Sequence, residues 1–187
     1  MDKQKAVEIL LEIQRLIPKS FAVYGTCLGA VREGSIIDGD GDIDVGIFFE
    51  DWLYEIIDDL KNSGFFLKRI YSDKEIRSGI LVKNDIIVEL HIFYKSENGA
   101  GRFEYLGGKI RHEYPEDIFV PIIAKIDGNQ IRCFGEKYLE CVYGDWRQRK
   151  NKFNYKTDYK CKSKGKIWRI VRQKLSVIGS IKRLIIK

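Results

Sequence analysis

The sequence predicts an α+β fold in which a few helices flank a mixed sheet. Three observations predict it. The chain opens on an amphipathic helix, its middle is a succession of strand-length apolar runs separated by turn residues, and a second short helix follows them. In residues 3–17, Ala6, Ile9, Leu10, Ile13, Leu16 and Ile17 recur at spacings of three and four, and Pro18 ends the helix. Phe21 to Tyr24 reads as a strand, Gly25-Thr26 breaks it, and Leu28 to Arg32 is helix-like. Asp42-Ile43-Asp44 then feeds an apolar run from Val45 to Phe49. Trp52 to Lys61 is expected as a helix capped by Asp51 and closed near Gly64, with Leu53, Ile56, Ile57 and Leu60 inward. Phe65 to Tyr71, Ile76 to Val82 and Ile86 to Tyr94 are predicted strands, the last two joined by a Lys83-Asn84-Asp85 hairpin turn. Short strands continue from Gly99 to Cys133, with turns at Gly107-Gly108 and Asp127-Gly128-Asn129. Glu136 to Tyr143 is a helix stopped by Gly144.

The stretch from Phe21 to Phe48 carries the chemistry. On a strand, the period of two puts Asp42 and Asp44 on one face and sends Ile43 to the other. Carboxylates that close repel each other unless a cation lies between them. Oxygen ligands of this kind suit Mg²⁺ or Mn²⁺ bound together with substrate phosphates. Asp-Gly-Asp-Gly is also good loop chemistry, so the acidic pair alone is equally readable as a polar turn before a strand. Its weight comes from the Gly25-Thr26 turn, with Asp42 and Asp44 sixteen and eighteen residues beyond Thr26. That turn would let the backbone approach a phosphate, and Arg32 follows at a spacing that reaches the same phosphate or pairs with an acid.

The combined pattern resembles the LicD/fukutin-related family. The residues that carry it are Tyr24-Gly25-Thr26, Leu28-Gly29-Ala30-Val31-Arg32, Gly34, then Asp40, Asp42 and Asp44. It continues in Tyr114-Pro115, Glu116, Phe119, Pro121, Tyr138-Leu139 and Tyr143-Gly144-Asp145-Trp146, so that it covers roughly residues 1–146. The family usually has an aromatic and a further acid where this chain has Gly39 and Gly41, and Cys27 sits inside the Gly-Thr turn. The resemblance implies a phosphotransferase on the nucleotidyltransferase (polymerase-β-like) fold. It implies transfer of a substituted phosphate, such as phosphocholine or a polyol phosphate, from a CDP-activated donor to a glycan or lipid-linked glycan, with release of CMP. Tyr24, Gly25, Thr26, Gly29, Arg32 and Asp40 are then substrate-binding candidates.

A site of that type needs a third carboxylate from a neighbouring strand. Ile86 to Tyr94 offers Glu89 and His91, two apart and so on one face. An acid inside so apolar a strand is costly to bury unless it is paired or metal-bound. Glu89 is therefore the favoured third ligand beside Asp42 and Asp44, with His91 as the competing candidate, as a phosphate contact, or as a base. Two other readings remain open. One is nucleotidyl transfer from a nucleoside triphosphate to a small molecule or protein; the other is a non-catalytic relative associated with nucleic acid or membrane.

Composition divides the chain in two. Residues 147–187 hold 15 Lys/Arg against the single acid Asp158, whereas residues 1–146 hold 18 basic and 26 acidic residues. The expected organisation is a catalytic domain over 1–146, then a basic linker and C-terminal helix over 147–187. From Gly165 onward, Ile167, Ile170, Val171, Lys174/Leu175, Ile178, Ile181 and Ile185 trace one helical face, and Lys166, Arg169, Arg172, Gln173 and Lys187 lie largely off it. Such a helix suits an anionic membrane surface; packing on its own domain or in a dimer is the competing reading, and nucleic acid is the least favoured partner. No run reaches transmembrane length and the N-terminus lacks a signal peptide's apolar core, so the expected location is cytoplasmic, peripheral on the inner face of the cell membrane. Cys27, Cys133, Cys141 and Cys161 lack metal-site spacing and are expected as free thiols.

Overall fold

The computed structural model describes residues 1–72, 76–97, 99–106, 110–149 and 162–164. The linker from 150 to 161 and the helix expected beyond Gly165 lie outside these residues. Helix α1 (Lys3–Leu16) starts at Asp2, whose side chain accepts a hydrogen bond from the Lys5 amide, and buries Ala6, Val7, Ile9, Leu10 and Ile13. Strand β1 is only Phe21–Ala22, and α2 (Tyr24–Leu28) begins directly after it. The expected Gly25-Thr26 turn is thus the first turn of a helix. The strand ends early because Tyr24 takes a left-handed backbone (φ 43°), turning the chain without help from glycine. A π-helical turn, Gly29–Glu33, completes the segment, and Gly34 leaves it at φ 66°.

Strand β2 (Asp42–Phe48) carries both aspartates as expected. The next helix is shorter than predicted. A 3₁₀ turn occupies Phe49–Asp51 and α3 spans Glu55–Asn62, which leaves Leu53 62% exposed rather than inward. Trp52 is the residue that fills the core there. Strands β3 (Phe66–Ser72), β4 (Ile76–Lys83) and β5 (Ile86–Lys95) fall where predicted, and Asn84 and Asp85 both take positive φ, as a two-residue hairpin requires. β6 (Gly101–Leu106), β7 (Ile110–Pro115), β8 (Pro121–Ile126), β9 (Asn129–Phe134) and α4 (Glu136–Tyr143) complete the domain. Residues 162–164 form β10 against β7.

The fold is therefore the expected α+β, with one mixed sheet in the order β10-β7-β6-β5-β2-β1-β9-β8 and the β3–β4 hairpin joined to β5. Among the described residues two strand contacts are parallel, β2 with β5 and β1 with β9. The first of these builds the site. Its register sets Asp44 opposite Glu89 and Gly46 opposite His91, so the aspartate face of β2 meets the Glu89/His91 face of β5. Ile43, Val45, Ile47, Val88, Leu90 and Ile92 point the other way and are fully or almost fully buried.

Beyond the acids the same face turns aromatic. Phe93, Phe119 and Phe134 lie with ring centroids 5.2–5.4 Å apart along the chain of contacts, and Tyr138 stands 5.3 Å from Phe134. Gly46 is the hinge of this floor. A β-carbon there would lie 2.4 Å from the Phe21 ring and 2.9 Å from both the Phe93 ring and Val23. Gly46→Ala is expected to cost about 1–3 kcal/mol, as overpacking does. That lowers the midpoint of thermal unfolding by roughly 2–4 °C per kcal/mol in a chain of this size. An unchanged melting temperature would contradict this packing.

Candidate active site

Helix α2 and strands β2 and β5 meet at the acidic pair. The α2 turn is pinned to β2 at two points: the Gly25 amide donates to Asp44 Oδ2 (3.1 Å), and the Asp44 amide donates to Thr26 Oγ1 (2.8 Å). Gly25 is required here because a β-carbon would sit 2.8 Å from the Asp40 carboxylate and 3.4 Å from that of Asp44. Its amide, expected to face a phosphate, is committed to Asp44. Gly29 serves packing: a β-carbon would come 2.6 Å from the Ser35 carbonyl oxygen. Thr26 and Tyr24 are buried and reach the site through Asp44 and His91.

Asp44, Glu89 and His91 form the tightest group. Each offers one ligand atom within 4.8 Å of the others. His91 Nε2 lies 3.3 Å from Asp44 Oδ1 and 3.9 Å from Glu89 Oε2. Glu89 keeps 41% of its side chain exposed, on the open side of the site, whereas Asp44 and His91 are buried. The two candidates for the third position therefore both arrive. Asp42 stands one step along the same face, outside the closest trio. Burial, followed by the charges of Asp44, Glu89 and Asp40, pushes its pKa up to about 7. Burial and Asp44 likewise push Asp40 up to about 6. Crowded carboxylates that resist ionisation mark a place that a cation would stabilise.

Sequence reasoning missed the group behind His91. Glu104 of β6 is 1% exposed, and burial pushes its pKa up to about 8. Its Oε2 lies 2.9 Å from His91 Nδ1, and its Oε1 accepts a hydrogen bond from the Tyr114 hydroxyl at 2.7 Å. Tyr114 continues to the Tyr24 hydroxyl at 2.5 Å, and the Tyr24 ring packs on His91 with centroids 4.9 Å apart. The signal was present in Gly101–Leu106, where Arg102 and Glu104 are the polar residues sharing one face of a strand.

Beside the acids lies a cavity of about 540 Å³ lined by Gly25, Arg32, Asp40, Tyr143, Trp146 and Arg149, among others. Arg32 bonds Glu33 and the Trp146 carbonyl (3.0 Å) rather than any of the site's aspartates. Arg149, the last described residue of the basic segment's start, pairs with Glu33. Burial pushes the Tyr143 hydroxyl well up, with the Asp44 charge second.

The sequence matches the LicD/FKTN/FKRP nucleotidyltransferase domain over residues 19–127, which spans strands β1 to β8. The chain belongs to this family. Among curated relatives of this LicD-family chain, the ribitol-5-phosphate transferase fukutin of Mus musculus is 28% identical over 130 residues, covering 64% of this chain and 27% of the relative. The Homo sapiens protein is 26% identical over 125 residues, with the same coverage. An uncharacterised protein of Rickettsia prowazekii is 28% identical over 120 residues, covering 60% of this chain and 41% of the relative. This chain thus spans about a quarter of the length of the fukutins that it matches. A solved structure, that of ANT(2")-Ia with adenylyl-2"-tobramycin, aligns at a TM-score of 0.45 and 13% identity over 71% of this chain and 70% of its own. Among the described residues of this LicD-family chain, no helix is long and apolar enough to cross a membrane.

Proposed function

We propose that this chain transfers a substituted phosphate, a polyol phosphate or phosphocholine, from a CDP-activated donor to a hydroxyl of a glycan or lipid-linked glycan, releasing CMP. The observation that carries the reading is the convergence of Asp44, Glu89 and His91 beside a cavity that also holds Arg32 and Arg149. Membership of the LicD family supports it, and the ribitol-5-phosphate transferase relatives favour a polyol phosphate. Asp42, Asp44 and Glu89, with His91 beside them, fit a divalent cation: three carboxylates and an imidazole in one cleft, two of the carboxylates on adjacent parallel strands in register. Such a cation, Mg²⁺ or Mn²⁺, would neutralise the charge of the donor's phosphate oxygens and align attacker with leaving group.

The protein's own groups supply the rest. The cavity takes the donor, Arg32 and Arg149 draw its phosphates, and Trp146 offers an apolar wall to the nucleoside. One carboxylate of the set accepts the proton of the attacking hydroxyl. Gly25 and Thr26 hold Asp44 in place for this, and the aromatic floor excludes water behind it. We assign residues 1–146 as the catalytic domain and the basic segment 147–187 to an anionic membrane surface, where a lipid-linked acceptor would be met on the cytoplasmic side.

Calorimetry with CDP-ribitol, CDP-glycerol, CDP-choline and CTP, each with and without Mg²⁺, tests the reading. Metal-dependent binding of one CDP donor, lost in Asp42→Ala/Asp44→Ala, is the expected result. Binding of nucleoside triphosphates alone would replace it with nucleotidyl transfer. A folded protein that binds neither nucleotide nor metal would be a non-catalytic relative.

A further inference from the structure

We infer that the cation site of this chain is built to hold manganese in preference to magnesium, through the Nε2 nitrogen of His91, and that Glu104 is the positioning residue that makes His91 a ligand. The inference rests on the reading that Asp44 and Glu89 hold a cation. It adds which ion they hold and why.

The Tyr114 hydroxyl donates to Glu104 Oε1, and Glu104 Oε2 faces His91 Nδ1 at 2.9 Å. A cation at Nε2 confines the imidazole proton to Nδ1, where the ionised Glu104 carboxylate accepts it. Nε2 then presents its lone pair toward Asp44 Oδ1 at 3.3 Å and Glu89 Oε2 at 3.9 Å. A lone pair aimed at two carboxylate oxygens is an acceptor among acceptors, and the contact is favourable only with positive charge between them. A cation placed there completes a carboxylate–histidine–metal arrangement, in which the outer acid fixes the tautomer and raises the basicity of the ligand. The ring has little freedom to turn away. It is 3% exposed, held at Nδ1 by Glu104, and covered by the Tyr24 ring at 4.9 Å and 60°.

The donor set then selects the ion. Mg²⁺ demands oxygen ligands in near-ideal octahedral geometry and gives up water reluctantly, so an imidazole nitrogen gains it little. Imidazole favours the later divalent ions, while two carboxylates and incoming phosphate oxygens favour hard ones. Mn²⁺ satisfies both halves of this set.

Binding of Mn²⁺ to the full chain, followed by loss of the free-ion EPR signal and by competition with Mg²⁺, is expected to show at least about tenfold preference for Mn²⁺. Pulsed EPR of the Mn²⁺-loaded protein is expected to show ¹⁴N coupling from a directly bound imidazole, replaced by the ¹⁵N pattern when histidine is ¹⁵N-labelled. That labelled pair decides the point without any variant. His91→Gln is expected to abolish the coupling and bring the two affinities together. Glu104→Leu is expected to lower Mn²⁺ affinity roughly 10–100-fold while moving Mg²⁺ far less. Glu104→Gln, whose amide oxygen still accepts from Nδ1–H, is expected to restore the coupling. A purely structural role for Glu104 would move both ions together and would overturn its assignment. Asp44-dependent binding of Mn²⁺ without nitrogen coupling, or with equal Mg²⁺ affinity, overturns the inference and leaves the transferase reading standing. Failure of both ions to bind in an Asp44-dependent way removes the cation site itself, and with it both.

Discussion

Asp44→Asn is expected to lower the proposed donor-dependent transfer by roughly a thousandfold, about 4 kcal/mol of transition-state stabilisation. The size follows from how many contacts converge on one side chain. Asp44 Oδ2 accepts from the Gly25 amide at 3.1 Å and Oδ1 lies 3.3 Å from His91 Nε2, so both oxygens are committed. Asparagine has the same shape but must place an NH₂ at one of those positions. It then opposes either the Gly25 donor or the imidazole ligand position, and it removes the charge in both cases. The backbone bond from the Asp44 amide to Thr26 is untouched, so the fold should persist. Steady-state kinetics alongside a thermal melt separates the two effects. Asp58→Asn, on α3 with 75% of its side chain exposed, is the control and should change the rate less than twofold. A comparable loss in both variants, or full activity in Asp44→Asn, would remove Asp44 from the reacting centre.

The second large effect is on pH. Asp42 has a pKa near 7 in the folded chain, against about 3.9 for a free aspartate. Between those values the folded protein holds a proton that the unfolded chain has released. The metal-free protein therefore loses stability as pH rises from about 4 through 7, and a divalent cation should restore it above 7. Asp42 is only partly buried, so solvent screening reduces the effect to about 1 kcal/mol, or a melting shift of roughly 2–4 °C. Asp42→Asn should raise the metal-free melting temperature at pH 8 by that amount and leave it unchanged at pH 4. Cation affinity should fall as pH drops below 7, because the ion must then displace the proton. Titration calorimetry in two buffers of different ionisation enthalpy counts the protons released near pH 6.5. Equal release from wild type and Asp42→Asn would show that another group titrates.

Gly25 illustrates how far the local pattern carries. The Gly-Thr motif marks a close backbone approach, and the approach exists, but the anion that comes near is the Asp44 carboxylate of the same chain. Sequence alone places a glycine where space is short; it does not say what fills the space. Leu53 illustrates the converse. Helical periodicity from Trp52 sends it inward, but the 3₁₀ turn at Phe49–Asp51 delays the helix to Glu55 and leaves Leu53 outside.

The sequence by itself determined the α+β architecture, the strands that carry Asp42, Asp44, Glu89 and His91, and the shared face within each pair. A period of two is a property of one extended backbone and needs no neighbour to enforce it. Only the tertiary structure decided that Asp44 stands opposite Glu89, that His91 joins them at 3.3 Å, and that Glu104 lies behind His91 from a different strand. Those are facts of register and burial. They depend on which strands pair and in what alignment, and pairing is set by contacts between residues far apart in the chain.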